Sequence, residues 1–314
     1  MGFEAPTKTM SGSIREVALG KERQLTVGGE TCLPFYLFEG EMPNKPVVAM
    51  EVYDEVTTEW PQALTDVLGD VMTDPAAWAK RVVEDHGADM VCVQLAGADP
   101  NGSDRSPEEA AQTVASVADA VDVPLVVYGC GNADKDAEVL KKVAEVMADR
   151  PVVLGPATED NYKPIAAAAM GFGHVVAAET PIDVNMAKQL NILITQLGLP
   201  ADRILIDPST GAVGYGIEYS YTVMERLRLA ALTQNDAMTQ MPMIVNLGKE
   251  AWRAKEAKAS QEEEPAWGDA SARGVLWEAT TALTLAMSGA DVLIMRHPDA
   301  VSLLRRAVDA LMEQ

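Results

Sequence analysis

Polar side chains recur at the ends of short apolar runs in this chain of 314 residues, and they are the groups best suited to chemistry. Carboxylates in such places permit general acid–base chemistry or a Mg²⁺ site. Each of these residues is equally able to hydrogen-bond loop backbone or to cap a helix, as Asp183 would for the helix after it. The polar residues at the run ends are Glu51, Asp54, Gln94, Asp99, Glu159, Asn161, Glu179, Asp183, Asn185, Asp207, Ser209, Asn246 and Arg296.

Three glycines, Gly211, Gly214 and Gly216, follow one run within six positions and enclose Tyr215. Glycine permits positive φ and a close approach of backbone to a ligand. The spacing G-x-x-G-x-G differs from the dinucleotide-binding fingerprint, so a Rossmann site is not indicated. Glu218 places negative charge where a helix N-terminus would otherwise attract phosphate. Contact with a ligand or partner and plain turn geometry both remain open.

Several chemistries lack their usual residues. The sequence contains no HxH or HExxH motif and no lysine within an apolar run, which weighs against a barrel zinc hydrolase and a Schiff-base aldolase. Of three histidines only His297 falls at a run end, where local hydrogen bonding is its expected role. The three cysteines, Cys32, Cys92 and Cys130, are too few for the four ligands of an ordinary iron–sulfur cluster.

The elements that must position these residues form a repeat of eight units, each an apolar run followed by a helical stretch. Such a repeat at this length predicts a (β/α)8 TIM barrel, whose strand C-termini gather at one functional mouth. Residues 1–46 precede the first barrel strand, and a hairpin from 14–19 and 24–27 is expected to cap the barrel bottom. The barrel then occupies 47–314. Its strand runs are 47–53, 89–95, 124–130, 151–157, 174–180, 203–209, 242–248 and 291–297.

Three long connections interrupt this pattern. The stretch 54–74 is predicted to be a long first loop, and the loops 208–218 and 249–270 exceed what a connector needs. Trp252, Arg253 and Trp267 lie in the last of these, and both residue types are enriched at interface hot spots. That loop is therefore expected to be a lid or a partner-docking element.

The net charge of the chain limits the kinds of partner that it can bind. The chain carries 25 Lys and Arg against 47 Asp and Glu, a net charge of −22, which repels phosphate backbones and makes nucleic acid an unsuitable partner. No apolar run reaches transmembrane length, so no membrane partner is expected. The N-terminal residues lack the pattern of a signal peptide, and the cytoplasm is the expected compartment.

Longer stretches of the chain resemble a known family. They include ADMVCVQLAGADP, PLVVYGCGN, EAWRAKEA, MRHPDAV and, most specifically, IDPSTGAVGYGIEYSYTVMER. Between about Leu33 and Val301 the chain resembles the small subunit of the corrinoid iron–sulfur protein of the acetyl-CoA (Wood–Ljungdahl) pathway. That subunit is also known as the delta subunit of the CO dehydrogenase/acetyl-CoA synthase system.

The resemblance implies a barrel that pairs with a large subunit carrying a [4Fe–4S] cluster and a cobalamin domain. The corrinoid would lie between that domain and the barrel mouth, with no catalytic residue in this chain. The complex would carry a methyl group from a methyltetrahydrofolate methyltransferase to CO dehydrogenase/acetyl-CoA synthase, and a reductive activator would be a further partner. The residues expected near the corrinoid are Glu159, Asn161, Glu179, Asn185, Asp207, Ser209, Gly211, Gly214, Tyr215, Gly216, Asn246 and Arg296.

Two other functions stay open at this level. A stand-alone barrel methyltransferase would hold a pterin ring with strand-end residues such as Asp207 and Asn185. A Mg²⁺-dependent barrel enzyme would use Glu159, Glu179 and Asp207. A barrel fold alone does not decide among them, because this architecture hosts many chemistries.

Overall fold

Eight parallel strands close into a single barrel, which confirms the predicted architecture. The description rests on a computed structural model covering residues 6–57 and 59–313. Sequential strands are neighbours throughout, and the last pairs with the first. The barrel strands are β3 (Val47–Tyr53), β4 (Met90–Gln94), β5 (Leu125–Tyr128), β6 (Val153–Ala157), β7 (Val175–Glu179), β8 (Ile204–Asp207), β9 (Met243–Asn246) and β10 (Ala290–Met295).

The N-terminal segment closes the barrel bottom, as predicted. Strands β1 (Val17–Leu19) and β2 (Leu25–Val27) pair antiparallel. Their side chains Val17, Leu19 and Val27 are buried in the same cluster as the inward-facing residues of the barrel strands. This hairpin therefore shields from water the apolar interior that an open barrel end would expose.

A helix follows each barrel strand, and polar side chains cap the N-termini of several of these helices. Ser106 and Glu109 form a reciprocal capping box, and Asp74 accepts hydrogen bonds from two backbone amides at the start of its helix. The helices are α1 (Gln62–Leu68), α2 (Pro75–Glu84), α3 (Pro107–Ala120), α4 (Ala133–Val146), α5 (Tyr162–Phe172), α6 (Val184–Gln196), α7 (Ile217–Thr233), α8 (Leu247–Ala251), α9 (Lys255–Lys258), α10 (Ala270–Ser288) and α11 (Pro298–Met312). No helix in the described part of the chain is long and apolar enough to cross a membrane.

Two expected loops contain helices. The stretch 54–74 holds α1, because Leu64 and Leu68 are one turn apart and both are buried. The stretch 249–270 is ordered around α8 and α9, where Trp252 packs with Leu64 and Ala257 in one apolar cluster. The first loop was thus wrongly predicted to lack structure, since its short apolar stripe only gains a partner in the folded barrel.

Candidate functional site

Alternation along the strands creates a polar floor at the barrel mouth. Leu205, Ala177 and Ile244 point into the barrel interior, so the residue two positions later on each strand points the same way. Those later residues are Asp207, Glu179 and Asn246. The same rule on the remaining strands adds Glu51, Gln94, Tyr128 and Arg296.

Two connected cavities lie above this floor. The inner cavity, of about 430 Å³, is bounded by Asp207, Glu179 and Asn246, and the outer cavity, of about 560 Å³, by Tyr53, Trp60 and Arg296. Both are also lined by a shared set of residues, so they form one continuous mouth. That set is Gln94, Gly129, Cys130 and Lys249.

Asp207 is the centre of the inner cavity. Its Oδ2 accepts a hydrogen bond of 2.7 Å from the Tyr128 hydroxyl, and its Oδ1 accepts one of 3.0 Å from the Ser209 amide. The register of β7 and β8 places Glu179 directly beside Asp207. The Ser209 hydroxyl donates to Glu179 Oε1 at 3.2 Å, so one serine joins both carboxyl groups.

Burial governs the protonation of this pair. Burial, together with the adjacent Glu179, raises the pKa of Asp207 to about 8 despite hydrogen bonds that oppose the shift. Burial also raises the pKa of Glu179, although the Ser209 hydrogen bond and Lys249 act against it. Two carboxyl groups in one low-dielectric site resist double ionisation. Burial therefore favours a protonated carboxyl group in this pair near neutral pH, and such a group can donate a hydrogen bond as well as accept one.

A third carboxyl group, that of Asp136, shapes the wall of the inner cavity. Asp136 accepts hydrogen bonds from the backbone amides of Cys130 (2.7 Å) and Gly131 (2.9 Å). A Cβ on Gly129 would come within 2.2 Å of Asp136 Oδ1, so glycine is required there. The Cys130 thiol donates to Asp136 at 3.2 Å, and burial raises its pKa to about 12, which keeps it in the unreactive thiol form.

The outer cavity is built around Arg296. Register between β10 and β3 pairs Met295 with Met50, which sets Arg296 beside Glu51, and the two form a buried ion pair. The guanidinium lies over the ring of Trp60, with 4.5 Å between its Cζ and the ring centroid, and donates to the Tyr53 hydroxyl at 2.6 Å. Stacking on aromatic faces is favourable for guanidinium and fixes the wall of this cavity.

Glu278 on α10 links the long mouth loop, residues 249–270, to the end of barrel strand β10 through hydrogen bonds. Its carboxylate accepts from the Trp252 indole at 2.8 Å and from the amides of Arg296 and His297 at 2.5 and 3.0 Å. Burial raises its pKa to about 7, while these three donors act in the opposite direction. His297 itself accepts from the Asp299 amide as the N-cap of α11, which confirms its local role.

The structure gathers only half of the expected corrinoid-contact residues at the cavities. Asn161, Glu179, Asp207, Ser209 and Asn246 line the inner one, and Arg296 lines the outer one. The Asn161 side chain is already hydrogen-bonded within its own loop, because its Oδ1 accepts from the Thr158 amide at 2.7 Å. Glu159 and Asn185 are exposed and line neither cavity.

Gly211, Gly214, Tyr215 and Gly216 in the loop 208–218 likewise lie outside both cavities, and turn geometry accounts for the glycines. Gly214 and Gly216 have φ of +75° and +96°, and a Cβ on Gly211 would meet the backbone of Gly216 at 2.6 Å. Tyr215 hydrogen-bonds Glu256 at 2.9 Å and so joins this loop to α9.

Sequence reasoning missed Tyr128, Asp136 and Lys249. Tyr128 had a readable signal, since a tyrosine two residues after an inward valine must bring its hydroxyl toward the mouth. Asp136 and Lys249 lie on helices after the strands, and nothing in their spacing marks them. Among the described residues no group of three or more His, Cys, Asp or Glu side chains is arranged to hold a metal ion.

The fold and mouth define a (β/α)8 barrel protein with a polar cavity open at the strand C-termini. Solved structures support the fold. Dihydropteroate synthase from Vibrio fischeri superposes with a TM-score of 0.57 at 14% identity, covering 88% of this chain and 97% of that chain. The enzyme from Thermus thermophilus gives 0.55 at 14% identity, with 94% and 98% covered.

Sequence relatives identify the family. The family model described as CO dehydrogenase/acetyl-CoA synthase delta subunit matches residues 16–307. Acetyl-CoA decarbonylase/synthase complex subunit delta from Archaeoglobus fulgidus is 38% identical over 98% of this chain and 71% of its own length. Subunit delta 1 from Methanosarcina thermophila is 40% identical, with 95% and 70% covered. The chain belongs to the CO dehydrogenase/acetyl-CoA synthase delta subunit family, which confirms the resemblance drawn from its sequence.

Proposed function

We propose that this chain is the small subunit of a cytoplasmic corrinoid iron–sulfur methyl carrier. In this proposal its barrel mouth holds a corrinoid together with a large subunit. The methyl group comes from a methyltetrahydrofolate methyltransferase and goes to CO dehydrogenase/acetyl-CoA synthase, and a reductive activator restores the carrier. The names of the relatives support membership of such a complex.

The hydrogen-bonding floor of the inner cavity is the observation that carries the proposal. A corrin ring bears carboxamide arms, each with one acceptor oxygen and two N–H donors. Asn246 and Thr210 line this cavity, and their side-chain oxygens Oδ1 and Oγ1 are buried without a hydrogen-bond partner among the described residues. Buried polar atoms normally have partners, so these two oxygens fit a ligand that brings hydrogen-bonding groups.

The residues that would hold the corrinoid periphery are Asn246, Thr210, Glu179 and Ser209. Burial raises the pKa values of Glu179 and Asp207, which favours a protonated carboxyl group able to donate a hydrogen bond to the oxygen of an amide arm. When bound, the corrinoid supplies a cobalt centre that accepts and releases the methyl group. The side chains of the mouth would orient the ring and exclude water from it.

The cysteines of this chain indicate which of the two subunits would hold the iron–sulfur cluster. Cys32 is buried in the segment before β3, Cys92 is buried on β4, and the Cys130 thiol donates a hydrogen bond to Asp136. Three separated thiols do not supply four cluster ligands. We therefore assign the [4Fe–4S] cluster to the large subunit.

Corrinoid retention by the reconstituted complex tests the proposal. The complex of this chain with its large subunit is loaded anaerobically with hydroxocobalamin, and its visible spectrum is followed during gel filtration. Asn246→Leu should speed corrinoid loss, since an amide partner is removed, whereas the exposed Asn185→Leu should not. A corrinoid whose amide arms are hydrolysed to carboxylates should bind more weakly than the amide form. Equal retention by Asn246→Leu and Asn185→Leu would overturn the assignment of this cavity.

A pterin-dependent methyltransferase is a second candidate, because Asp207 and Asn246 place hydrogen-bonding groups for a heterocycle in one cavity. Of the pair Asp207 and Asn185, only Asp207 is at this site, since Asn185 is exposed. Titration calorimetry of the lone chain with methyltetrahydrofolate distinguishes the two functions. Tight binding without the large subunit favours the enzyme, and its absence favours the carrier. The Mg²⁺ alternative loses support, because Glu159 does not join Glu179 and Asp207 at the cavity.

A further inference from the structure

Helix α10 exposes a face without charge on an otherwise highly charged chain. Lys, Arg, Asp and Glu make up 23% of the sequence. The only charged residues on α10 are Arg273 and Glu278. Glu278 is buried, and Arg273 donates to the backbone oxygens of Glu256 and Ala259. The outward residues, here called the α10 face, are Ala272, Leu276, Thr280, Leu283, Thr284 and Met287.

The α10 face exposes large apolar side chains to water, which is unfavourable. Leu276 is 56% exposed and Met287 is 51% exposed. The outer side of α4, by contrast, exposes Glu138, Lys141 and Glu145. Contiguous apolar exposure of this kind marks interaction surfaces in soluble proteins.

The shape of the surface adds to its composition. Leu276 forms a ridge between two grooves and lines both of them. One groove, of about 440 Å³, continues to Val213 and Trp267 on the mouth loops, and the other, of about 520 Å³, runs beside Val67 and Leu303. A body that fills the first groove therefore also reaches the rim of the mouth.

The charged residues at the edges of the two grooves indicate which kind of partner would bind there. Asp66, Asp269 and Asp299 are exposed at the groove edges. A second copy of this chain would bring the same acidic edges and its own net charge of −22, which disfavours self-association. The complementary surface has an apolar centre flanked by Lys or Arg.

We propose that the α10 face is where the large subunit of the complex docks, through an apolar strip with basic flanks, independently of the corrinoid contacts at the mouth. This assignment rests on the function proposed above. Since the first groove leads to the mouth rim, a subunit seated there is positioned to reach a cofactor shared across the mouth.

The test measures assembly of the full chain with the large subunit. The double variant Leu276→Glu/Met287→Glu should weaken the Kd by about 30-fold or more, the loss typical of an interface hot spot of about 2 kcal/mol. Val146→Glu on α4, where the valine is 46% exposed, is the matched control and should leave the Kd unchanged. Thr280→Arg is a second variant that removes no apolar side chain and places a cation against the proposed basic flanks. Circular dichroism of each lone chain checks that it is folded.

The outcomes separate this proposal from the function on which it rests. If wild type assembles and both α10 variants assemble equally well, the docking surface is overturned while the carrier function stands. Failure of the wild-type chain to assemble with a corrinoid-bearing large subunit refutes the carrier function itself. Dimerisation of the lone chain that the α10 variants abolish would assign the face to a second copy instead. Asn246→Leu should lose corrinoid yet keep the Kd for the large subunit.

Discussion

Tyr128 at the end of β5 donates a hydrogen bond of 2.7 Å to Asp207 at the end of β8, so the two residues link strands that have β6 and β7 between them. Both side chains are almost fully buried. The bond spans the barrel interior below the mouth and fixes one carboxyl oxygen of the inner cavity. The same relationship sets several measurable properties of the chain.

Loss of the tyrosine hydroxyl should destabilise the barrel. Tyr128→Phe leaves Asp207 Oδ2 without its donor, and a buried group left unsatisfied costs about 1–3 kcal/mol. Because that hydrogen bond lowers the pKa of Asp207, the variant should also raise this pKa further. Urea unfolding measures the first effect, and a carboxyl NMR titration measures the second. Tyr162→Phe, at a buried tyrosine on α5, is the control and should change neither.

Stability should decrease as pH rises across the neutral range. Burial raises the pKa of Asp207 to about 8 and that of Glu278 to about 7, whereas both groups ionise near pH 4 in an unfolded chain. The folded chain retains protons that the unfolded chain has released. Their stabilising contribution is therefore complete below about pH 4 and is lost as pH rises through the folded pKa values, at up to about 1.4 kcal/mol per pH unit for each group.

Urea unfolding at several pH values between about 5 and 8 measures this slope. Asp207→Asn should make this dependence on pH less steep, because it removes a carboxyl group that retains its proton in the folded chain. Asp202→Asn at an exposed position should leave it unchanged. A slope that Asp207→Asn leaves unchanged would contradict the burial argument.

Replacement of Glu278 should loosen the long mouth loop. Gln has a single acceptor oxygen, so Glu278→Gln cannot accept from Trp252, Arg296 and His297 in the same geometry. We expect a loss of about 2–4 kcal/mol in the free energy of unfolding, as for other buried networks left partly unsatisfied. Hydrogen exchange should rise within 247–259 before other regions. Uniform exchange across the chain would show that Glu278 does not act on that loop.

The Glu51–Arg296 pair should behave as a coupled unit. Glu51→Leu alone leaves a buried guanidinium without its carboxylate, and removal of one partner of such a pair costs about 3–5 kcal/mol. Arg296→Met alone should cost a similar amount. The double variant should be about 1–3 kcal/mol more stable than the sum of the single losses. Additive losses in a double-mutant cycle would mean that the two charges do not stabilise each other.

The sequence determined the barrel strands and most of the mouth floor. Branched apolar runs favour strands, and the period of two fixes which side of a strand each residue takes, so Asp207, Glu179, Asn246 and Arg296 were predictable at the mouth. The hairpin at the bottom was predictable for the same reason. Family membership was also readable, because long specific stretches of the chain carry it.

Tertiary structure alone decided which of those polar residues meet. The register of β7 against β8 brings Glu179 beside Asp207, and barrel closure brings Tyr128 across to Asp207. Asn185 looks equivalent in sequence, yet its place on α6 turns it to solvent. The α10 face also became visible only in the fold, since an apolar residue such as Leu276 is indistinguishable from core until the burial of its neighbours is known. Proximity, burial and shifted pKa values depend on non-local packing, which local sequence patterns do not encode.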